Sequence, residues 1–277
     1  MRRLPFACCL LLALCAFTSA ERLFAPAAEL WPRWQRHDPA STATLDLAAW
    51  DALLGRVVVA GADGINRVDY RALAGGEAAA LRQVTDRLAA VPVGSLGRDQ
   101  QLAYWINLYN AVTLQVVAAH YPVASIRDVD ISPGWFADGP WGAPLVTVEG
   151  EALTLNDIEH RILRPIWQDA RIHYAVNCAS LGCPNLAAEA YRGEAIAAQL
   201  DAAARDYVNH PRGVSLGDGR VIVSKIYDWF LEDFGGSTAG LLAHLRRHAD
   251  AGLAARLQQV DRIGGTAYDW ALNDAAR

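Results

Sequence analysis

The feature that most constrains the fold is the longest helical pattern in the chain, which runs from Arg98 to His120 as RDQQLAYWINLYNAVTLQVVAAH. Its apolar residues recur at helical spacing around much of the circumference, which is typical of a helix buried on most sides. We therefore predict a central, buried helix with the rest of the domain packed around it.

Three polar residues lie along one side of this helix, Tyr104, Asn107 and Asn110, at spacings of three. An unpaired buried amide costs about 1–3 kcal/mol, so buried asparagines need partners. They either bond the backbone of nearby loops or line a polar cavity, and the sequence leaves both alternatives open.

Shorter helical and strand patterns surround the central helix. Hairpins are predicted over 145–153, about Glu149-Gly150, and over 213–223. A further long helix is predicted over 187–209. With no internal repeat and no linker, we predict a single α+β domain over 45–277, mainly helical with a small, mostly antiparallel sheet. Residues 21–44 are predicted to form an irregular arm whose tryptophans dock on the domain.

The composition excludes several classes of function. Of the 277 residues, 53% are hydrophobic and 20% are charged, which is typical of a globular protein. The formal charge is −5 and no Lys/Arg run stands out, so we expect no nucleic-acid partner. No later apolar run is long enough to span a membrane, and we assign no cofactor; the oligomeric state is left open.

The N-terminus has the pattern of a cleavable signal peptide. Arg2 and Arg3 precede the apolar run 4–17, and Thr18-Ser19-Ala20 supplies small residues before a cleavage site. We therefore expect cleavage after Ala20 and export, to a periplasm or outside the cell. Cleavage removes three of the five cysteines and leaves only Cys178 and Cys183.

These two cysteines lie in the segment RIHYAVNCASLGCP, residues 171–184. β-favouring residues alternate over 172–177, which predicts a short strand, and small residues with Pro184 then predict a tight turn. A thiol at the end of a strand suits a nucleophile, but it also suits a disulfide.

A helix start precedes this segment in NDIEHRILRPIW, residues 156–167. Asn156 is a good N-cap and Glu159 occupies the position of a capping-box partner. His160 lies one turn later beside apolar residues, where no helix-end role explains it. The remaining histidines are assigned no function and are predicted at the surface or at helix ends: His37, His120, His210, His244 and His248.

Several motifs together resemble one known family. They are YWINLYNA (104–111), GEALTLNDIEHRILR (150–164), HYAVNCASLGCPN (173–185), VSKIYDWFLEDFG (223–235) and YDWALN (268–273). In this order they resemble the bacterial and plant family called domain of unknown function 547. The resemblance implies a fold family and gives no residue a catalytic role. Gly182 stands where family members often carry Ser, which removes one hydroxyl from the site.

A cysteine-dependent hydrolase or acyl-transferase is the first hypothesis. Covalent catalysis by a thiol requires a lowered thiol pKa or a nearby base, usually His. Cys178 is the candidate nucleophile and His160 the candidate base. On a strand, His173 and Cys178 would point to opposite faces, which counts against His173. Asn177, Asn107 or Glu159 is expected to orient the base or to donate to an oxyanion.

Two alternatives remain. In the first, the protein is a non-enzymatic binding module and Cys178–Cys183 is a structural disulfide. In the second, His160, His173 and both cysteines hold a metal ion, although the spacing of the cysteines is wider than in zinc fingers.

The expected ligand is a small molecule or a peptide or other cell-envelope substrate. We predict that it is bound by Tyr104, Asn107, Asn110, Ser180 and Trp135. Trp135 belongs to a loop rich in glycine, proline and tryptophan, where large aromatic side chains either pack on the core or wall a pocket.

Overall fold

The structure is a computed structural model that describes residues 25–134, 139–217 and 220–276. The predicted signal peptide and Trp135 lie outside the described residues. The α-helices are α1 (Ala48–Val57), α2 (Tyr70–Ala74), α3 (Ala78–Ala89), α4 (Arg98–His120), α5 (Arg164–Trp167), α6 (Ile196–Asn209), α7 (Lys225–Trp229), α8 (Thr238–His248) and α9 (Ala251–Leu257). The strands are β1 (Val58–Ala60), β2 (Asn66–Val68), β3 (Val146–Val148), β4 (Glu151–Leu153), β5 (Val214–Gly217), β6 (Arg220–Ser224) and β7 (Gly265–Ala267).

Helix α4 is the centre of the domain, as its sequence predicts. Its residues are buried from Gln101 to Leu114 without interruption. The helix packs against α2, α3 and the segment at 157–163. Because apolar side chains point outward in every direction from α4, neighbouring elements bury it on all sides. The prediction of a single, mainly helical α+β domain is confirmed.

The strands form small sheets at the edges of the helical core. Strands β1–β2 and β3–β4 are antiparallel pairs. The β3–β4 turn has positive φ at Glu149 (47°) and Gly150 (84°), the backbone that tight hairpins require. Strand β6 pairs antiparallel with β5 and parallel with β7, which brings the C-terminal segment onto this sheet.

The N-terminal arm docks through its tryptophans. Trp34 is buried in the short 3₁₀ helix Pro32–Gln35, and its ring packs edge-on against Trp105 of α4 with centroids 5.0 Å apart. Arg161 lies over the ring of Trp31. The arm is therefore part of the packed domain.

The helix predicted over 156–167 begins differently from its sequence pattern. The Asn156 side chain makes no capping hydrogen bond. Instead, Thr154 Oγ1 accepts a hydrogen bond from Asp157 N (2.9 Å), and Asp157 Oδ2 accepts one from Thr154 N (3.0 Å). This reciprocal pair satisfies the helix start two residues earlier than predicted. The segment continues as a π-helix over Asp157–Leu163, which leaves Glu159 free for another role.

The helix predicted over 187–209 is shorter than expected. The α-helix α6 begins only at Ile196, after a 3₁₀ turn at Gly193–Ala195. The chain before it is held by tertiary contacts, since Ala190 N donates to Asp51 Oδ1 (2.7 Å) and Arg192 forms an ion pair with Asp51. Alanine-rich composition did not reveal these contacts.

Two hydrophobic clusters meet at the cysteine segment. The larger cluster surrounds α4 and includes Val176 and Ala179, whereas the smaller one surrounds α8 and includes Tyr174. The chain thus passes from one cluster to the other immediately before Cys178.

Candidate functional site

The segment before the cysteines is helical, so the predicted strand over 172–177 is wrong. Residues Ala170–Tyr174 form a 3₁₀ helix, and the Asp169 carboxylate caps it by accepting a hydrogen bond from Arg171 N (2.9 Å). Alternating β-favouring residues are a weak signal, and here the cap and the burial of both His173 and Tyr174 decide the conformation. The argument that placed His173 and Cys178 on opposite faces of a strand no longer applies.

Asn177 ties the two ends of the cysteine loop together. Its Oδ1 accepts a hydrogen bond from Ala179 N (2.9 Å), and its Nδ2 donates to Pro184 O (2.7 Å). Its own backbone N–H donates to Asn110 Oδ1 on α4 (2.8 Å). Asn177 is buried, so it acts on the thiol by shaping the loop.

The backbone turns sharply directly after Cys178. Ala179 has φ of 57°, in the left-handed region that residues with a Cβ rarely adopt, and its side chain is fully buried. Left-handed non-glycine residues cost energy and persist only where the surrounding structure holds them. The thiol of Cys178 therefore projects from a rigid, strained turn.

The C-terminal segment holds the other side of the loop. Leu181 N donates to Ala271 O and Gly182 N donates to Asp269 O, each at 2.8 Å. A Cβ at Gly182 would lie 2.7 Å from the backbone nitrogen of Asp269, so this close approach requires glycine. The loop and the C-terminal segment thus pack directly against each other.

The Cys178 thiol has three polar neighbours. Its Sγ lies 2.8 Å from Cys183 Sγ, 3.0 Å from the Tyr268 hydroxyl and 3.7 Å from Ser180 Oγ. The Tyr268 and Ser180 hydroxyls are in turn 2.9 Å apart. Cys178 is half-buried, whereas Cys183 is buried, and both are free cysteines.

The two thiols differ in their acidity. The hydrogen bond between Cys178 and Cys183 lowers the pKa of Cys178; burial opposes this change, and the Tyr268 and Ser180 hydroxyls reinforce it. Burial raises the pKa of Cys183 well above its ordinary value. Cys178 is therefore the more acidic of the two thiols.

A buried charged cluster lies under the π-helix and comprises Glu159, His160, Arg164, His173 and Asp233. His173 Nε2 lies 2.7 Å from Asp233 Oδ2, and its Nδ1 lies 3.6 Å from Glu159 Oε1. Arg164 donates to both Asp233 oxygens, at 2.6 and 3.2 Å, and lies 3.0 Å from His160 Nδ1. π-helical turns are rare and occur often at functional sites.

Burial and charge set the protonation of this cluster. Burial lowers the pKa of His160 to about 4, so this imidazole is neutral near pH 7. Burial also acts to lower the pKa of His173, but the hydrogen bonds to Asp233 and Glu159 outweigh burial and raise it. The pKa of Glu159 falls to about 2, because His160, His173 and Arg164 outweigh the effect of burial.

The structure does not bring the predicted base to the predicted nucleophile. Within the described residues, the hydrogen bonds of the Cys178 sulfur go to Cys183, Ser180 and Tyr268 and to no imidazole. His160 is engaged by Arg164 instead. Glu159 does act on the thiol. Its negative charge opposes thiolate formation and so acts to raise the pKa of Cys178, against the stronger effects that lower it.

The two asparagines of α4 bond loop backbone, the first of the two alternatives left open by the sequence. Asn107 Nδ2 donates to Tyr191 O (2.7 Å), and its Oδ1 accepts from Tyr191 N (3.0 Å) and from Trp50 Nε1 (3.2 Å). Asn110 Nδ2 donates to Ala175 O (2.9 Å). Both side chains fix loops rather than face a cavity.

Of the other residues predicted to bind a ligand, the structure places only Ser180, among those it describes, at the thiol. Tyr104 is fully buried against Trp105, with ring centroids 4.9 Å apart. Ser180 is the one that contacts the thiol. Trp135 lies outside the described residues. For the metal hypothesis, no group of three or more His, Cys, Asp or Glu side chains within residues 25–134, 139–217 and 220–276 is arranged to hold an ion.

Sequence reasoning assigned no site role to Tyr268, Asp233 or Arg164, although all three lie in the quoted motifs. It also predicted His244 and His248 at the surface or at helix ends. His248 is the last residue of α8, as predicted, although it is buried, whereas His244 is buried within the helix. Apolar residues at helical spacing around these histidines in α8 were the available signal.

Comparison with known families places these observations in context. A family model described as protein of unknown function, DUF547, matches residues 93–208. This region of the chain is therefore similar to the DUF547 family. The matched region contains α4, the π-helix and both cysteines, whereas Asp233 and Tyr268 lie beyond it. No curated protein and no solved structure matches the chain. Within the described residues, no helix has both the length and the apolar character needed to cross a membrane.

Proposed function

We propose that the protein is a cysteine-dependent hydrolase or acyl-transferase in which Cys178 is the nucleophile. The observation that carries the proposal is the environment of the sulfur. A half-buried thiol has a lowered pKa and lies beside a second thiol and two hydroxyl groups. Such surroundings stabilise a thiolate, which is the reactive form of cysteine.

The rigidity of the site supports the same proposal. Asn177, the left-handed turn at Ala179 and the paired C-terminal segment hold the sulfur in one place. A fixed nucleophile lowers the entropic cost of reaction, because less freedom is lost in reaching the transition state. His160 and Glu159 act in this proposal through the buried charged cluster, which positions the loop and sets the local field.

Aromatic rings beside the thiol provide a surface for an acyl substrate. The ring centroid of Tyr268 lies 4.7 Å from that of Trp270 and 5.0 Å from that of Trp229, and all three residues are half-buried. We propose that a small acyl compound or a cell-envelope peptide binds there. Export, predicted from residues 1–20, would place the protein with such substrates.

The test is covalent labelling combined with turnover. The purified protein is incubated with p-nitrophenyl acetate, and mass spectrometry locates the acetyl group while nitrophenol release is followed. We expect acetylation at Cys178 and loss of turnover in Cys178→Ala. The matched control, Cys183→Ala, should still be acetylated at Cys178. Equal turnover by the Cys178→Ala variant and the wild type would refute the nucleophile.

A second candidate function is the non-enzymatic binding module with a Cys178–Cys183 disulfide. The short distance between the sulfurs, 2.8 Å, favours it, because little movement separates the free pair from a bonded one. Closing so short a loop would stabilise the fold by about 2 kcal/mol. Thiol titration of native, non-reduced protein discriminates the two: two alkylatable thiols exclude the disulfide, and none excludes the nucleophile in that state.

A further inference from the structure

Within the described residues, no imidazole hydrogen-bonds the Cys178 sulfur, so the proposed reaction lacks its expected proton carrier, and the structure offers a different one. The Tyr268 hydroxyl lies within hydrogen-bond distance of both Cys178 Sγ (3.0 Å) and Ser180 Oγ (2.9 Å). Within the described residues, it is the nearer of the two hydroxyl oxygens that hydrogen-bond the sulfur. Tyr268 follows β7 and lies beyond the region matched by the family model.

Tyr268 is held in place from both sides. The Asp269 and Ala271 carbonyls accept hydrogen bonds from the backbone of the cysteine loop. The Tyr268 ring packs against those of Trp229 and Trp270, which also contact each other with centroids 5.6 Å apart. Further along, Tyr70 donates to Asn273 Oδ1 (2.8 Å), which anchors the segment to α2. The hydroxyl is therefore fixed relative to the sulfur.

We propose that Tyr268 is the general acid–base residue that works with Cys178, in the role that the sequence suggested for His160. This inference rests on the proposed nucleophile. It makes the C-terminal segment, from which Tyr268 comes, an essential part of the site.

The proton balance is as follows. The Cys178 thiolate attacks the acyl carbon and forms a carbon–sulfur bond, and the bond to the leaving group breaks. Tyr268 gives its proton to the leaving group and becomes a phenolate. Water then attacks the thioester, Tyr268 takes a proton from that water, and the thiolate leaves. The products are a carboxylic acid and the protonated leaving group, and both residues return to their starting forms.

The environment of Tyr268 indicates which substrates need it. Burial and the nearby thiols raise the pKa of Tyr268 well above its ordinary value, so it stays protonated in the free enzyme. The Ser180 hydroxyl can donate to the phenolate when it forms. A proton donor 3.0 Å from the attacking sulfur matters most for substrates whose leaving group must take up a proton, such as alkyl esters and amides.

The test uses Tyr268→Phe, which removes one oxygen and keeps the ring. General acid–base catalysis contributes about 10²–10⁴-fold, so turnover of an ethyl ester or a simple amide should fall by about 10²-fold or more. With p-nitrophenyl acetate, whose leaving group needs no proton, the first burst of nitrophenol should remain while the steady state slows. A merely structural role would abolish the burst as well.

A second readout needs no turnover. The Tyr268 hydroxyl donates to the thiolate, so its removal should shift the pH profile of iodoacetamide alkylation at Cys178 to higher pH. The matched control is Tyr121→Phe, because the Tyr121 hydroxyl also holds the C-terminal segment, through Asp274 (3.0 Å), but is not among the hydrogen-bond partners of the sulfur. This control should leave both the alkylation profile and ethyl-ester turnover close to wild type.

The outcomes separate the two proposals. If Cys178→Ala is inactive and Tyr268→Phe matches Tyr121→Phe in ester turnover and in alkylation, the role of Tyr268 is overturned and the nucleophile stands. If Cys178→Ala retains full turnover, or the wild type turns over no acyl substrate, the proposed function fails and the role of Tyr268 fails with it.

Discussion

Asp233→Asn is the substitution that most directly tests the buried charged cluster. Asp233 accepts hydrogen bonds from Arg164 at 2.6 and 3.2 Å and pairs with His173 at 2.7 Å. The amide has the same shape but no charge. It therefore leaves the Arg164 guanidinium, whose side chain is only 6% exposed, without its main counter-charge.

The expected loss follows from this burial. Removing one partner of a buried ion pair costs about 3–5 kcal/mol, because the other charge remains desolvated. The Asp233 side chain is 22% exposed, and Glu159 still faces His173 after the substitution. We therefore expect the lower end of that range, a loss of about 3 kcal/mol in the free energy of unfolding.

The loss should depend on pH. Asp233 is among the groups that raise the folded pKa of His173 above its unfolded value. The stability from protonated His173 is thus fully present below the unfolded pKa, near 6.5, and disappears as the pH rises through the folded pKa. The cost of Asp233→Asn should therefore be largest below pH 6.5 and smaller in alkaline solution, where the contribution of Arg164 remains.

Urea unfolding of wild type and variant at pH 6 and pH 9 measures both effects. The matched control is Asp201→Asn, because Asp201 pairs with Arg171 at 2.9 Å but its side chain is 49% exposed. Exposed pairs contribute at most about 1 kcal/mol, so this control should change little. Equal losses in the two variants, or a loss at Asp233 that does not vary with pH, would refute the account of the cluster.

Two further predictions concern the cysteine loop and the small core. Ala179→Gly should leave the free energy of unfolding within about 1 kcal/mol of wild type, because relief of the left-handed φ offsets the lost methyl group. Ala179→Val should lower the free energy of unfolding by more than about 2 kcal/mol, because the site is fully buried. Thermal unfolding that ranks the two variants the other way would contradict this. Burial lowers the pKa of His244 to about 3, so the unfolded state binds a proton that the folded state does not. This residue alone should contribute a fall in stability of about 1.4 kcal/mol per pH unit as the pH drops below 6.5. Urea unfolding between pH 7 and pH 5 measures this slope, and His244→Phe should reduce it; an unchanged slope in the variant would contradict the assignment.

The sequence predicted those elements whose conformation depends mainly on local pattern. Helix α4 begins and ends where its apolar spacing begins and ends. The β3–β4 hairpin turns at Glu149-Gly150, where a glycine permits positive φ. In both cases propensity, periodicity and burial agree, so residues that are near in sequence carry enough information to predict the conformation.

The 172–177 segment shows where this reasoning fails. Its residues favour a strand, but none of the strands that the structure describes pairs with this segment, and the Asp169 cap favours a 3₁₀ helix. The signal for a strand was therefore outweighed by a tertiary environment that a single sequence does not reveal.

The site was predicted only in part for a similar reason. Cys178, Ser180 and Asn177 are neighbours in sequence, and their relation could be inferred from the turn that they share. Tyr268 lies 90 residues beyond Cys178, and Asp233 lies 60 residues beyond His173. The pairing of such distant residues depends on how β7 and the C-terminal segment return to the core, which periodicity does not show.

Glu159 connects the buried charged cluster with the polar residues around the Cys178 thiol. This carboxylate pairs with His173 in the buried charged cluster, and its charge also raises the pKa of Cys178. A protonated His173 partly neutralises the negative charge of Glu159. If His173 lost its proton, more of that negative charge would act on the Cys178 thiol. His173 therefore influences the nucleophile from a distance, without contacting it. We therefore expect His173, the histidine of the cysteine motif, to affect the proposed chemistry through its charge, whereas the proton of the proposed reaction would pass through the Tyr268 hydroxyl.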